Sequence, residues 1–217
     1  RQRQMCIRDR FLGVLELCRL ALDAKQSLPD GVDYANLVTN YVERFASKLT
    51  CFDDIRPHLA ALRKTPDVPH QPLTSETSIT QRINAEKIAL FFEQGASADD
   101  LLQAYIESLE HVHEPSTEMQ PGDDLALLAV YVTLAKSSSV ENLIQAAAIA
   151  SYACEKSARA YKLRILLIRL LLRLGCLKLA VYHFDALELK AVQLDTMSHY
   201  LLDRNASFGG SHAADVG

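Results

Sequence analysis

The apolar residues of this chain recur with the three- and four-residue spacing of amphipathic helices. Runs of this kind predict helices at about 11–27, 34–49, 52–62, 78–92, 98–111, 123–135, 140–155, 158–174, 177–189 and 195–205. The alternating β-branched pattern of strands is scarce, and only 8 glycines and 7 prolines interrupt the helical runs. Short connections between the later helices make them antiparallel neighbours. The pattern therefore predicts an all-α fold.

Two of the later helices repeat the same side-chain sizes at an offset of 34 residues. The matched positions are Leu143, Ala146, Ala150 and Ala153 in one copy and Leu177, Ala180, Phe184 and Leu187 in the next. Gly175 lets the chain reverse before the second copy, and the small alanines let two helices approach closely. Such hairpins bury their apolar faces only by stacking. The sequence therefore predicts a right-handed αα-superhelix, a tetratricopeptide-like solenoid of the kind that usually binds other molecules.

The chain also contains three stretches of different character. Residues 1–10 lack the apolar core of a signal peptide, and Met5 to Arg10 matches the translation of a transposon end used in sequencing-library adaptors. We therefore expect residues 1–10 to be an artefact. Residues 11–208 form the helical-repeat segment, with a proline-containing linker at about 65–77. Residues 209–217 lack helical periodicity and are expected to be an irregular or truncated tail.

Cysteine usage, hydropathy and charge narrow the class of protein. The five cysteines include no Cys-x-x-Cys pair, which favours free thiols in a reducing compartment. The longest apolar stretch, from Ile165 to Leu172, is far shorter than the roughly 20 residues of a membrane span. The formal net charge is −4, and residues 1–10 make it less negative than it would otherwise be. An acidic chain argues against general binding of nucleic acid, including DNA.

One local stretch is positively charged. Between Lys156 and Lys178 there are seven basic residues and no acidic one. The candidate partner-binding residues are Lys156, Arg159, Lys162, Arg169 and Arg173. The last four fall in one sector of roughly 80° on a single helix, which would suit an acidic partner or ribosomal RNA phosphates. The alternative is a solvated helix face whose charges pair with acidic groups of adjacent helices.

The chain shows no familiar catalytic or metal-binding pattern. His111 and His113 lie two positions apart, so on a helix they point in different directions, and a fraying helix end is the better interpretation. A nucleophile elbow, a phosphate-binding loop and the acetyl-CoA loop of acetyltransferases are missing. We interpret three aspartate pairs as favourable charges at helix amino ends: Asp53–Asp54, Asp99–Asp100 and Asp123–Asp124. We therefore expect no catalytic, cofactor-binding or metal-binding residue.

Two segments resemble a known family more closely than a generic helical repeat. Tyr41 to Ile55 contains a tyrosine, then Phe-x-x-Lys, then Cys-Phe-x-Asp-Ile. Leu187 to Leu202 contains Leu-x-x-Lys-x-x-Gln-x-Asp-Thr followed by Tyr-Leu-Leu. In this order, both resemble segments of the large auxiliary subunit of N-terminal acetyltransferase B, and Arg164 to His183 is similar to the hairpin before the second. The resemblance covers residues 11–208.

The resemblance implies a non-catalytic scaffold that wraps a small catalytic acetyltransferase subunit. That partner would bind acetyl-CoA and modify nascent chains beginning Met-Asp, Met-Glu, Met-Asn or Met-Gln. The complex would be cytoplasmic and ribosome-associated, with no membrane or DNA partner. Members of the family are much longer, so the resemblance also implies that this chain is an internal fragment.

Two alternatives stay open at this point. The first is an unrelated helical-repeat adaptor that binds an acidic peptide or partner through the positive stretch. The second is a helical enzyme without a familiar motif, which would need buried titratable groups that converge in one pocket.

Overall fold

The computed structural model describes residues 2–63, 78–110, 120, 122–137, 139–190, 193 and 196–202, with the side chains of residues 2–6 and 202 left aside. Every regular element in these ranges is helical, which confirms the predicted all-α class. The helices are α1 (Gln2–Asp23), α2 (Tyr34–Phe45), α3 (Cys51–Leu62), α4 (Ile79–Phe91), α5 (Ala98–Leu109), α6 (Asp123–Lys136), α7 (Val140–Lys156), α8 (Tyr161–Arg173), α9 (Leu177–Asp185) and α10 (His199–Leu202).

The chain divides into two compact units, Arg1–Ala96 with α1 to α4 and Ser97–Gly217 with α5 to α10. The boundary falls between α4 and α5. The expected linker at 65–77 and the expected tail at 209–217 lie outside the described residues. Residues 7–10 continue α1 without a break, and the adaptor origin of residues 1–10 stays a prediction.

Side chains that accept from free backbone N–H groups cap the starts of α2, α4, α5 and α7. At α5 a capping box is present, because Ser97 Oγ accepts from the Asp100 N–H at 3.2 Å and Asp100 Oδ2 accepts from the Ser97 N–H at 3.3 Å. At α7 the N-cap is Ser139, whose Oγ accepts from the Asn142 N–H at 3.2 Å.

One of the two family-like segments, Tyr41 to Ile55, contributes several residues to the core of the first unit. Tyr41, Cys51 and Ile55 are fully buried and pack in one cluster with Leu15 of α1 and Phe45 of α2. The Tyr41 and Phe45 rings are 4.7 Å apart between centroids. The apolar positions of the Tyr41 to Ile55 segment are thus the residues that hold α1, α2 and α3 together.

Asp54 joins the same three helices through polar contacts. Its carboxylate accepts from Arg8 Nη2 at 2.7 Å, from Arg8 Nε at 3.0 Å and from the Tyr41 hydroxyl at 2.7 Å. Thr50 Oγ1 donates to the same carboxylate at 3.2 Å. Asp54 therefore does more than place a charge at the amino end of α3, as its neighbour Asp53, which is exposed, does.

A buried amide attaches α4 to the connection between α2 and α3. Asn84 is 1% exposed, and its Nδ2 donates to the carbonyls of Ala46 at 2.7 Å and Lys48 at 2.8 Å. Its Oδ1 accepts from the Phe52 N–H at 3.4 Å. These carbonyls and this N–H are left over where α2 ends and α3 begins, so one side chain satisfies the backbone at a helix turn.

One buried and one half-buried histidine make stability depend on pH. Burial lowers the pKa of His58, whose Nδ1 lies 2.8 Å from the Tyr34 hydroxyl, and burial next to Arg164 lowers the pKa of His183. A depressed pKa means that the unfolded chain takes up protons first as the pH falls below about 6.5.

We therefore expect a lower free energy of unfolding at a pH of about 5.5 than at about 7.5. The measurement is urea unfolding at both values. His58→Gln keeps a hydrogen-bonding side chain but does not titrate, so it should show a weaker pH dependence than the wild type. An unchanged pH dependence in this variant would contradict the role of His58.

In the second unit, successive helices from α5 to α9 pack on one another in chain order. Ala146, Ala150 and Ala153 of α7 and Ala180 of α9 are fully buried, which is the close approach that small side chains permit. Gly175 has a φ of 77°, and the following Cys176 N–H donates to the Leu171 carbonyl at 2.8 Å. The repeated hairpin predicted from the sequence is therefore formed.

The helices of the second unit form two layers with different spacing. α6 also contacts α8, and α8 also contacts α10. Among the described residues, α5, α7 and α9 make no comparable contacts with each other. The helices α6, α8 and α10 therefore lie in one closely spaced layer, which places the exposed sides of α6 and α8 next to each other.

Candidate partner-binding surface

The helix that carries the positive stretch begins later than expected. α8 starts at Tyr161, so Arg159 lies in the connection before it rather than on the helix. Ser157 holds this connection in place, because its Oγ donates to Asp123 Oδ2 at 2.8 Å, and Ala160 has a ψ of 57°, which is not helical. The single-helix sector predicted for four basic residues therefore contains three.

Three of the five candidate residues are engaged within the chain itself. Arg159 Nη1 donates to the Tyr161 hydroxyl at 2.5 Å, a contact that raises the pKa of the guanidinium. Lys156 Nζ lies 5.4 Å from the centroid of the Tyr152 ring. Lys162 Nζ forms an ion pair with Asp124 Oδ1 at 3.4 Å. Of these contacts, that of Lys162 is with an acidic group of an adjacent helix, as the alternative interpretation describes, whereas Arg159 and Lys156 contact tyrosines close to them in the chain.

Arg169 and Arg173 differ from the other candidates. Both are exposed, and neither has an ion pair, hydrogen bond or ring contact among the residues that the structure describes. With Lys162 they fall within about 40° on α8. The buried side of α8 faces the other way, with Leu163, Leu167 and Leu171 in the core. Two guanidinium groups therefore project side by side into solvent.

An aromatic residue on α6 completes this surface. α6 and α8 run parallel because each is antiparallel to α7, and the Lys162–Asp124 pair sets their starts side by side. Arg169 lies seven residues after Lys162, and Tyr131 lies seven residues after Asp124. Tyr131 is 53% exposed. We call Tyr131, Arg169 and Arg173 the α6–α8 face. Sequence reasoning did not single out Tyr131, because α6 is apolar on nearly every side and its pattern selects no face.

Arg164 belongs to the basic stretch but not to its surface. It is 7% exposed, its Nη2 donates to the Cys154 carbonyl at 3.4 Å, and its Nε has no partner. Asp123 is buried as well, and burial raises its pKa even though its Oδ2 accepts from Ser157 and from the Gln120 N–H. These two groups therefore hold together the interior of the second unit.

In the described ranges, no three His, Cys, Asp or Glu side chains are grouped so that they could hold a metal ion. His111 and His113 lie outside those ranges. No described helix is both long enough and apolar enough to cross a bilayer.

Comparison with known proteins decides the family. The model of the family described as the N-acetyltransferase B complex (NatB) non-catalytic subunit matches residues 1–216. The chain belongs to this family. This membership confirms the resemblance drawn from Tyr41 to Ile55 and Leu187 to Leu202. It also confirms that the chain belongs to a non-catalytic subunit and not to an enzyme. The alternative of an unrelated adaptor is wrong.

The chain is also similar to a curated protein that is several times longer than the chain itself. The chain is 25% identical over 197 residues to the phagocyte signaling-impaired protein of Drosophila pseudoobscura pseudoobscura. The matched region is 77% of this chain and 20% of that protein. The chain thus spans about a fifth of the length of the relative it matches.

Proposed function

We propose that this chain forms part of the scaffold of an N-terminal acetyltransferase B complex and helps to bind and position a separate catalytic subunit. The observation that carries the proposal is the match of residues 1–216 to the non-catalytic subunit family. A stack of helical hairpins supports it, because such stacks offer extended surfaces for protein partners. Arg169 and Arg173, which are exposed and have no partner among the described residues, supply groups that a catalytic subunit can satisfy.

The finer parts of the proposal rest on the family resemblance. The catalytic subunit would bind acetyl-CoA and acetylate nascent chains that begin Met-Asp, Met-Glu, Met-Asn or Met-Gln. The complex would work in the cytoplasm, near the ribosome. This chain would act by holding the catalytic subunit in its active arrangement, which lowers the cost of ordering that subunit when substrate binds.

The proposal predicts a stable complex between the full-length protein and its cognate small acetyltransferase subunit. We expect the two to elute together in size-exclusion chromatography, and we expect the complex to acetylate a Met-Asp peptide faster than the catalytic subunit alone does. A peptide beginning with serine is the control for specificity. Failure of the full-length protein to form any stable complex would contradict the proposal.

A further inference from the structure

We infer that the α6–α8 face is a docking site for an acidic segment of the catalytic subunit. The inference rests on the proposed function and deepens it, since it names the surface and the chemistry of the segment that binds there. It also narrows the five basic candidates to two and adds Tyr131, which the basic stretch does not contain.

The contacts that each basic residue already makes support the choice of Arg169 and Arg173. Lys156, Arg159 and Lys162 each have a partner within the chain, so a ligand would have to displace an existing contact. Arg169 and Arg173 have none among the described residues. A guanidinium presents several N–H donors in a planar fork that matches a carboxylate with two parallel hydrogen bonds. Two such forks one helical turn apart fit carboxylates on one helix or one extended strand.

Tyr131 adds an apolar contact to these charges. Its ring is 53% exposed although the rest of α6 is largely buried. Tyrosine and arginine are enriched at the energetic centres of protein interfaces. Tyrosine buries a large area with little loss of side-chain freedom, and arginine offers several planar N–H donors. The mixture of one aromatic and two arginine side chains therefore indicates a protein partner.

The charge of the surroundings indicates an acidic partner. The basic stretch from Lys156 to Lys178 holds no acidic residue, and Asp124 on the adjacent side of α6 is paired with Lys162. This patch is positive in a chain with a net charge of −4, so it attracts carboxylates and repels other cations. RNA is the weaker candidate, because base stacking uses repeated aromatics and this surface offers one.

The first test is charge reversal in the full-length protein. We expect the double variant Arg169→Glu/Arg173→Glu to weaken binding of the catalytic subunit by roughly tenfold or more, with most of the salt dependence lost. The matched control is Arg44→Glu/Arg56→Glu, which makes the same two substitutions at exposed arginines outside the basic stretch and should alter Kd by less than about threefold. Circular dichroism checks that both variants are folded.

The second test is photo-crosslinking with benzoylphenylalanine. Placed at position 131, the probe should crosslink to the catalytic subunit, and peptide mapping should locate the crosslink near an acidic segment. Placed at position 182, where Tyr182 of α9 is equally accessible, it should not.

The outcomes separate the two proposals. If the wild type forms the complex but the double reversal binds as tightly as the control, the docking inference is overturned and the scaffold function survives. Crosslinks from position 131 to RNA, or none at all, also overturn the docking inference. If the wild-type protein forms no complex, both proposals fall.

Discussion

Replacing Asn84 by leucine is expected to lower the free energy of unfolding by about 3 kcal/mol. The side chain is 1% exposed and satisfies the carbonyls of Ala46 and Lys48 together with the N–H of Phe52. Leucine has a similar volume but no polar atoms, so the Ala46 carbonyl and the Phe52 N–H would lose this partner, whereas the Lys48 carbonyl would keep the Cys51 N–H that donates to it at 3.0 Å. A buried polar group left unpaired costs roughly 1–3 kcal/mol, and the cost here comes mainly from one carbonyl and one N–H.

The measurement is urea unfolding followed by circular dichroism. Asn40 offers a matched control, because it is exposed on α2 and its side chain donates to Asn36 Oδ1 on the same helix. Asn40→Leu should change stability by about 0.5 kcal/mol or less. Asn84→Asp keeps the shape but exchanges the donor for an acceptor that faces two carbonyls, so it should destabilise at least as much as leucine does. If Asn84→Asp were as stable as the wild type, the assigned hydrogen bonds would be wrong.

Asn84 shows what periodicity cannot predict. The apolar spacing correctly predicts a helix at about 78–92, because that depends on neighbours three and four positions away. The role of Asn84 depends on carbonyls 38 and 36 residues earlier in the chain, at a turn whose position is set only by folding. Local pattern therefore predicts the element but not the contact that attaches it.

At the candidate surface, too, some features follow from the sequence and others depend on the packed structure. Charge counting selects the region from Lys156 to Lys178, whose role in partner binding stays a prediction. Helical geometry correctly places Lys162, Arg169 and Arg173 on one helix. It places Arg159 wrongly, because Ser157 holds the connection before α8 through Asp123. Which of the cations are free depends on aromatic and acidic groups near each one, and for Lys162 the acid comes from another helix. Those contacts are properties of the packed structure.

Tyr131 and Arg164 illustrate two opposite errors in predicting burial from the sequence. Tyr131 looks like a core residue in an apolar helix but is 53% exposed, whereas Arg164 looks like a surface cation but is 7% exposed. In both cases the average composition of the helix suggests the wrong environment. The structure corrects both because burial is set by which neighbours a helix has on each side.

Asp54→Ala is expected to lower the free energy of unfolding by about 3 kcal/mol, whereas Asp53→Ala should cost less than about 0.5 kcal/mol. The two aspartates are adjacent at the start of α3 and contribute equal charge there, so the difference isolates the tertiary contacts of Asp54. Removing its carboxylate leaves the hydroxyl of the buried Tyr41 without an acceptor, and it takes from Arg8 the carboxylate that accepts two of its N–H groups.

A double-mutant cycle with Tyr41→Phe separates these contacts. Tyr41→Phe removes only the hydroxyl that donates to Asp54 at 2.7 Å, and alone it should cost about 1 kcal/mol. In the Asp54→Ala background the same change should cost less, because the hydroxyl then has no acceptor and keeps only the Arg8 Nε–H that donates to it at 3.3 Å. A cost that is equal in both backgrounds would show that the hydrogen bond contributes nothing. The expected coupling would explain physically why Tyr41 and Asp54, two polar members of the family-like segment, occur together. At the junction of three helices, the Asp54 carboxylate accepts the hydrogen bond that the Tyr41 hydroxyl donates.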